Sequence, residues 1–445
     1  MISRYAISMF SFSKKIYRSL PRRLRDVISP TAYFLFDLMN SLRPEVWNVT
    51  GELRNCQLPL SMCLFTRTDR FRSYISTLIF GSSASTRYLG RTWFWNTRKL
   101  LKGTEGASLV FCEIDPKCTK LLWEERGLSI PAWILGEAAL PRSPRELNRK
   151  SAQYARRKIE QNSLEFEITH DQKRFDDFYD SMFVPYIKLR HGGSAYIVPR
   201  NLAQKDFDQG ELVLVKQKGE CISGLITTYE GSSVNLLKAG VRDGNWNYVR
   251  DGALVAAYEF ALRHAEEKGC RKVNFNRSRA FLKDGVLKFK REMSQRIVGA
   301  DRQMYMLRIL RDSQVARLLL ENMPFIFEHL GGFHGAVFVQ DEITLAVQTL
   351  REIRKQYYHP GMKDLIVFQF SSCLPANEEE FVPAPLPGLP IMIPTEPTDP
   401  FEYKQLPRAE WMELIQGLGC VGIENAIAIY PRDTNRIVNS QIEAE

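Results

Sequence analysis

Between Glu211 and Ser278 the chain runs in an order that few folds accept. Three β-prone runs come first, within ELVLVKQKGECISGLITTYEGSSVNLLKAGV, with Lys218-Gly219 and Glu230-Gly231 at the joints. Joints of that kind suit antiparallel hairpins. Asp251-Gly252 then opens ALVAAYEFALRHAEEKG, where Leu254, Ala257, Tyr258, Ala261, Leu262 and Ala265 recur at helical spacing and Gly269 closes the run. The Asp before that stripe predicts an N-cap at Asp251. CRKVNFN follows as a short strand. Strand, strand, strand, helix, strand is therefore the frame into which the rest of the chain must fit.

Directly after it stands FNRSRAFLKDGVLKFKREM, Phe275 to Met293. It sets three arginines and three lysines around apolar Phe281, Val286, Leu287 and Phe289. A segment buried only for packing should not carry that much cation next to its apolar anchors. A site for an anionic substrate or a polarised carbonyl can. Asp284-Gly285 reads as a turn.

The flanks are consistent with this frame. SPRELNRKSAQYARRKIEQN, 143–162, reads as a strongly basic helix, LEFEITHD as an alternating strand, and 175–190 as an aromatic helix ended by Gly192 and Gly193. From Cys56 to Asp115, LPLSMCLFT, STLIFG, TRYLG and ASLVFCEID read as short strands, with PAWILG another brief apolar run. Residues up to about Glu52 look helical. A helix is expected from about Met304 to Leu320, then apolar GAVFVQ, a helix over DEITLAVQTLREIRKQ, strand-like LIVFQF, a Pro-rich acidic stretch at 376–407, the helix AEWMELIQGLG and the run NAIAIYP.

A chain of 445 residues exceeds one ordinary core. Its charge is uneven. Residues 361–445 hold 5 Lys+Arg against 13 Asp+Glu, and the preceding 360 residues hold 56 against 38. A basic body favours anionic partners such as phosphate, CoA, tRNA or an acidic membrane face. The eight cysteines form no Cys-x-x-Cys pair and no metal-ligand spacing with histidine, so no metal is expected. No apolar run is long enough to span a bilayer. Residues 1–30 carry seven Arg and Lys before Asp26, with a serine-broken apolar part, which fits an amphipathic stretch on an anionic membrane face rather than a secretory signal. The expected location is cytoplasmic, with peripheral contact at the inner face of the membrane through residues 1–30.

The order from Glu211 onward resembles the second half of a GNAT-type N-acyltransferase domain. More narrowly, it is similar to Fem-type aminoacyl ligases and Fem-like acetyltransferase-domain proteins of cell-envelope and exopolysaccharide clusters. The residues that carry the resemblance are Arg157-Lys158, Arg190-His191-Gly192, the Gly219 to Gly224 hairpin and SRAFLKDGVLKFKREM. It covers roughly Cys56 to Val298. Three features depart from the family pattern. Ala280 stands where Pro is common, Met293-Ser294 replaces Trp-Gly, and no Arg/Gln-x-x-Gly-x-Gly run precedes the long helix. RDGNWNYVRDGA, with Arg250 and Gly252, is the nearest substitute for that phosphate-cradling run.

The resemblance implies an α+β fold of GNAT-like mixed sheets flanked by helices, with two tandem halves and a small C-terminal α/β extension. The corresponding division is a basic N-terminal segment at 1–52, halves at 53–142 and 143–300, a helical and strand extension at 301–375, and a Pro-rich acidic segment with a small terminal unit at 376–445. By the same resemblance, Lys290 would stabilise the negative charge that develops on a reacting carbonyl. Arg279, Ser278, Lys288 and Phe289 would bind donor or substrate, with Arg157, Lys158, Arg250 and Gly252 near donor phosphates. Tyr229 and Glu230, at the end of a central strand, are the acid/base candidates. The implied donor is acyl-CoA, acetyl-CoA included, or aminoacyl-tRNA, and nucleic acid is a partner only in the latter case. The acceptor would be an amine of a cell-envelope precursor, an amino sugar or a peptide. A catalytically degenerate GNAT fold that binds or scaffolds at an anionic membrane is the competing reading. A general nucleic-acid binder fits less well, because the aromatics follow core periodicity instead of interleaving with the basic runs.

Overall fold

A computed structural model gives the architecture. It describes chiefly residues 43–93, 106–114, 128–142, 149–192, 197–340, 345–371 and 401–431, apart from a few positions within those spans. The basic 1–30 stretch and most of the Pro-rich stretch lie outside the described residues.

The first sheet opens with β1 (Glu45–Glu52) and β2 (Pro59–Thr66), paired antiparallel. Helix α1 (Asp69–Phe80) follows, capped by Thr68, whose hydroxyl accepts from the Phe71 N–H. The sequence assigns STLIFG to a strand, but Ser76–Phe80 ends this helix. Its apolar positions Phe71, Ile75 and Ile79 fall on one buried face at helical spacing. The Glu45–Glu52 segment, expected to be helical, is a strand because both of its edges are paired, to β2 and to β3 (Ser85–Arg91). β4 (Leu109–Ile114) lies parallel to β2, and β5 (Leu128–Pro131) completes this stretch of chain.

The chain then crosses into a second sheet. β6 (Ile134–Ala139) is followed by α2 (Arg149–Gln161), β7 (Leu164–Thr169) and α3. α3 starts as Gln172–Asp177, passes through a π-helical stretch Phe178–Phe183 and ends as Val184–His191. α4 (Arg200–Asp208) leads to the antiparallel meander β8 (Gly210–Gln217), β9 (Glu220–Glu230) and β10 (Ser233–Val241). After α5 (Trp246–Arg250), α6 (Ala253–Glu267) carries the chain back to β11 (Lys272–Ser278), parallel to β10. Gly252, not Asp251, is the N-cap of α6. It sits at φ 96°, in the left-handed region, and makes no side-chain cap bond. Asp251 instead ends α5. α7 (Gly285–Glu292) and β12 (Arg296–Ala300) close the second sheet, whose order is β12-β6-β11-β10-β9-β8-β7.

β13 (Met304–Ile309) returns to the first sheet, lying antiparallel between β4 and β5. The sequence reads Met304 onward as helix. MYMLRI has no period strong enough to oppose two strands already offering open ladders, and the expected helix is shortened to α8 (Gln314–Asn322). The third sheet holds β14 (Phe325–His329), β15 (Gly332–Val339), β16 (Asp364–Phe370), β17 (Phe401–Gln405) and β18 (Ile423–Pro431) in the order β14-β15-β16-β18-β17. α9 (Val347–Tyr357) joins the parallel pair β15 and β16, and α10 (Arg408–Ile415) precedes β18.

All three sheets share one plan. A hairpin strand is followed by a parallel partner reached through a helix, and then by two antiparallel strands: β1-β2-β4-β13-β5, β9-β10-β11-β6-β12 and β14-β15-β16-β18-β17. In the first two sheets β6 and β13 are exchanged: β6, which follows β5, pairs with β12 in the second sheet, and β13, which follows β12, pairs with β5 in the first. The sheets therefore do not follow the linear divisions expected at 142/143, 300/301 and 375/376. The first and third sheets share a core that includes Phe111, Tyr305, Phe325, Phe338 and Phe368. The second sheet buries both faces. α6 covers one through Ala253, Ala257 and Phe260, while α3 and α4 cover the other through Phe175, Phe178 and Phe207.

Candidate active site

The centre of the second sheet is where its one parallel pair parts. β10 and β11 are in register only from Ser233 to Asn235 and from Lys272 to Asn274. Beyond that, β10 bulges between Leu236 and Lys238, which leaves Leu237 without a cross-strand partner on β9. β11 is irregular between Asn274 and Arg277, with Asn276 at φ 60°. The side chains of Asn274 and Asn276 hold that kink by accepting from the Asn276 and Arg277 N–H groups at 2.9 and 2.8 Å. The gap between the strands is a cavity of about 690 Å³, lined in part by Leu236, Leu237, Phe275, Tyr186, Tyr258 and Lys290. That volume suits a substrate of ordinary small-molecule size.

α7 supplies the lysine. Asp284 caps this helix by accepting from the Val286 and Leu287 N–H groups at 3.0 and 2.9 Å, so it is an N-cap as well as the expected turn former. Lys290 lies two turns along and is 4% exposed. Its Nζ donates to the Arg277 carbonyl at 2.8 Å. No carboxylate pairs with it among the described residues, and burial holds its pKa down to about 7. Lys238, also in the wall, is ion-paired with Asp206, and burial draws its pKa down to about 8. Tyr258 stands edge-on to Phe289 with centroids 5.0 Å apart, and burial raises its pKa. Tyr186 is raised for the same reason.

The N-terminus of α6 reaches the same cavity through Leu254 and Val255. No side chain caps it, and the stem of Lys158 lies against Gly252, where an added Cβ would meet Lys158 Cβ at 2.6 Å. An uncapped helix start beside a lysine is suited to an anionic group such as a phosphate.

Of the residues expected at a site, Lys290 and Phe289 line the cavity, and Lys158 and Gly252 meet at its helix start. The others do not gather there. The Arg279 guanidinium lies 3.9 Å from the Tyr74 ring centroid and 3.6 Å from that of Trp133, and it donates to the Tyr305 hydroxyl at 2.6 Å. It ties the segment before α7 to the first sheet. Ser278 is fully buried and outside the cavity lining. Lys288 and Arg157 are exposed, and Arg250, also exposed, donates to Asn247 at 2.8 Å. Tyr229 and Glu230 stand at the end of β9 away from the parting. Tyr229 donates to Glu211, which also accepts from Lys268 at 2.6 Å and lies 2.9 Å from His264. These contacts close a network that staples β8, β9 and α6. Glu230 is exposed as the last residue of β9.

The cavity also holds groups that sequence reasoning did not place in it: Tyr186, Arg190, Leu237, Lys238, Tyr258 and Asn276. Arg190 had a signal, since it belongs to the Arg-x-Gly step. Tyr258 read only as one member of an apolar helical stripe, and nothing in the residues marks the bulge at Leu237.

No family model and no curated protein matches the chain. Solved structures similar to it include L-PGS from Bacillus licheniformis, 13% identical over 61% of this chain and 84% of that one with a TM-score of 0.30. FemX is 12% identical over 58% and 83%, with a TM-score of 0.31. A GCN5-related N-acetyltransferase from Sphaerobacter thermophilus is 12% identical over 56% and 71%, with a TM-score of 0.27. The fold is GNAT-like. That statement stands on the antiparallel meander, the crossover helix α6 and the parted pair β10 and β11. Among the described residues, no helix is long and apolar enough to cross a membrane.

Proposed function

We propose that the cavity between β10 and β11 is the active site of an N-acyltransferase. It would move an acetyl, longer acyl or aminoacyl group from a thioester or aminoacyl-tRNA to an amine of a cell-envelope precursor, an amino sugar or a peptide. One observation carries this reading: Lys290 is a buried amine with no carboxylate partner among the described residues, and it lines a gap where β10 bulges and leaves Leu237 without a cross-strand partner on β9. A carbonyl oxygen bound there meets a cation and the Leu237 amide in a water-poor setting, where such donors are worth most. The acceptor nitrogen attacks the carbonyl carbon, and the oxygen takes up the negative charge opposite Lys290. Collapse re-forms the C=O bond and breaks the C–S or C–O bond to the donor. The nitrogen's proton leaves to water or to the departing sulfur or oxygen. Donor phosphates are assigned to the uncapped start of α6 and Lys158.

In this role Lys290 works as the ammonium. Its folded pKa of about 7 means that the charged form is lost as pH rises through that value. The test is thiol release from acetyl-CoA with an amine acceptor, followed from below to above neutrality. A limb in kcat that falls near pH 7 and vanishes in Lys290→Met supports the assignment. Full turnover in Lys290→Met refutes it, as does a kcat pH profile of the same shape in the wild type and the variant.

A further inference from the structure

Arg190 stands at the end of α3, on the cavity rim. The other cations of the wall have partners or are buried. Lys238 pairs with Asp206, Arg277 lies 3.1 Å from Asp301, and Lys290 is inside. Among the described residues, Arg190 has no carboxylate within ion-pair distance. Its guanidinium lies 5.6 Å from the ring centroid of Trp246, and its Nη2 lies 3.5 Å from where a Cβ on Gly285 would be. It thus spans from α5 to the start of α7, across the mouth. Around it the surface is unusually apolar for a cation's neighbourhood. Trp246 is 60% exposed and the adjacent Leu189 70%. Behind them the wall continues inward through Val249, Leu254 and Phe275.

A fork of donors without an acid, laid against an open indole above an apolar channel, is complementary to a molecule of two parts. We propose that Arg190 and Trp246 recognise an anionic amphiphile, a phosphate or carboxylate joined to an apolar chain, with the anion on Arg190 and the chain along the wall below. This names the substrate class for the reaction proposed above, and it rests on that reading only for the word substrate. The binding itself needs no turnover. The ligand is either a lipid within a bilayer or a free molecule, since the same contacts serve both.

The experiment uses the full chain and two probes of equal chain length, octyl phosphate and octanol, titrated by calorimetry. The wild type is expected to bind octyl phosphate at least about tenfold more tightly than octanol, the scale of one charge-assisted hydrogen-bonded contact. Arg190→Gln should abolish that difference and leave octanol binding unchanged, with the melting temperature of the free protein intact. Arg190→Lys, which keeps the charge without the fork, should retain part of the difference. Trp246→Ala should weaken both probes. Equal binding of the two probes by the wild type overturns the proposal, and so does an unaltered preference in Arg190→Gln. Sedimentation with vesicles of phosphatidylcholine, with and without phosphatidylglycerol, then assigns the source. Arg190-dependent capture by the anionic vesicles alone places the amphiphile in a membrane, whereas octyl phosphate binding without capture places it in solution. Should Lys290→Met leave turnover intact while these probes behave as expected, the acyl-transfer reading fails and the binding site stands.

Discussion

Lys290→Met removes the buried amine and keeps an unbranched side chain one atom shorter. In the unfolded chain the amine titrates at its ordinary value of 10.5, and in the fold burial brings it to about 7. Below pH 7 it is charged in both states. Above pH 7 the unfolded chain binds one proton more than the folded one, so stability rises with pH by about 1.4 kcal/mol per unit. Between pH 6 and pH 9 this single group should add about 3 kcal/mol to the wild-type unfolding free energy. The Met variant has no such slope. It also leaves the Arg277 carbonyl without its Nζ donor, at a cost of about 1–3 kcal/mol, but that cost is the same at both pH values and cancels in the comparison. The expected result is that the Met variant gains on the wild type by about 3 kcal/mol more at pH 6 than at pH 9. Urea unfolding of both proteins at both pH values measures it. A stability difference that does not change with pH would show that Lys290 keeps an ordinary pKa, and the case for a poised ammonium would fall with it.

Three other substitutions probe how the site is held. Gly240→Ala would place a Cβ 2.6 Å from the Phe183 nitrogen and 2.7 Å from the Met182 carbonyl carbon, backbone atoms that cannot swing aside. It should cost about 1–3 kcal/mol and, by displacing the helix that carries Tyr186 and Arg190, raise KM more than it lowers kcat. Arg279→Met should lower the melting temperature, losing about 1–3 kcal/mol of ring and hydrogen-bond contacts, while the protein that remains folded still turns over, since Arg279 lies outside the cavity. Asp284→Ala removes the α7 cap, worth about 1 kcal/mol, and should speed amide hydrogen exchange at Val286 and Leu287 with a fall in kcat.

What the sequence made legible follows from what is local. The stripe from Leu254 to Ala265 specifies α6 without help, and the glycine joints specify the meander. Strand assignment failed where the partner decides. Met304–Ile309 carries no alternation, and its state is set by β4 and β5, which lie far away in sequence. STLIFG failed for the opposite reason, because a run of apolar residues also fits the buried side of a helix. At the site, the motif singles out Lys290, and Lys290 lines the cavity between β10 and β11. Tyr229 and Glu230 stand at a strand end, but sequence does not say which end of the sheet parts. The parting itself depends on a one-residue slip at Leu237, a property of pairing between strands that no residue type announces.

The exchange of β6 and β13 sets a schedule for the nascent chain. The first sheet stays open on one side of Leu109–Ile114 until Met304–Ile309 has been translated, and the second cannot close over Lys272–Ser278 without Ile134–Ala139. A recombinant piece cut at the apparent boundary after Arg142 would therefore leave each fragment with a bare, sticky edge. Each sheet takes one strand from the other's stretch of chain, and the cleft between β10 and β11 depends on that mutual completion.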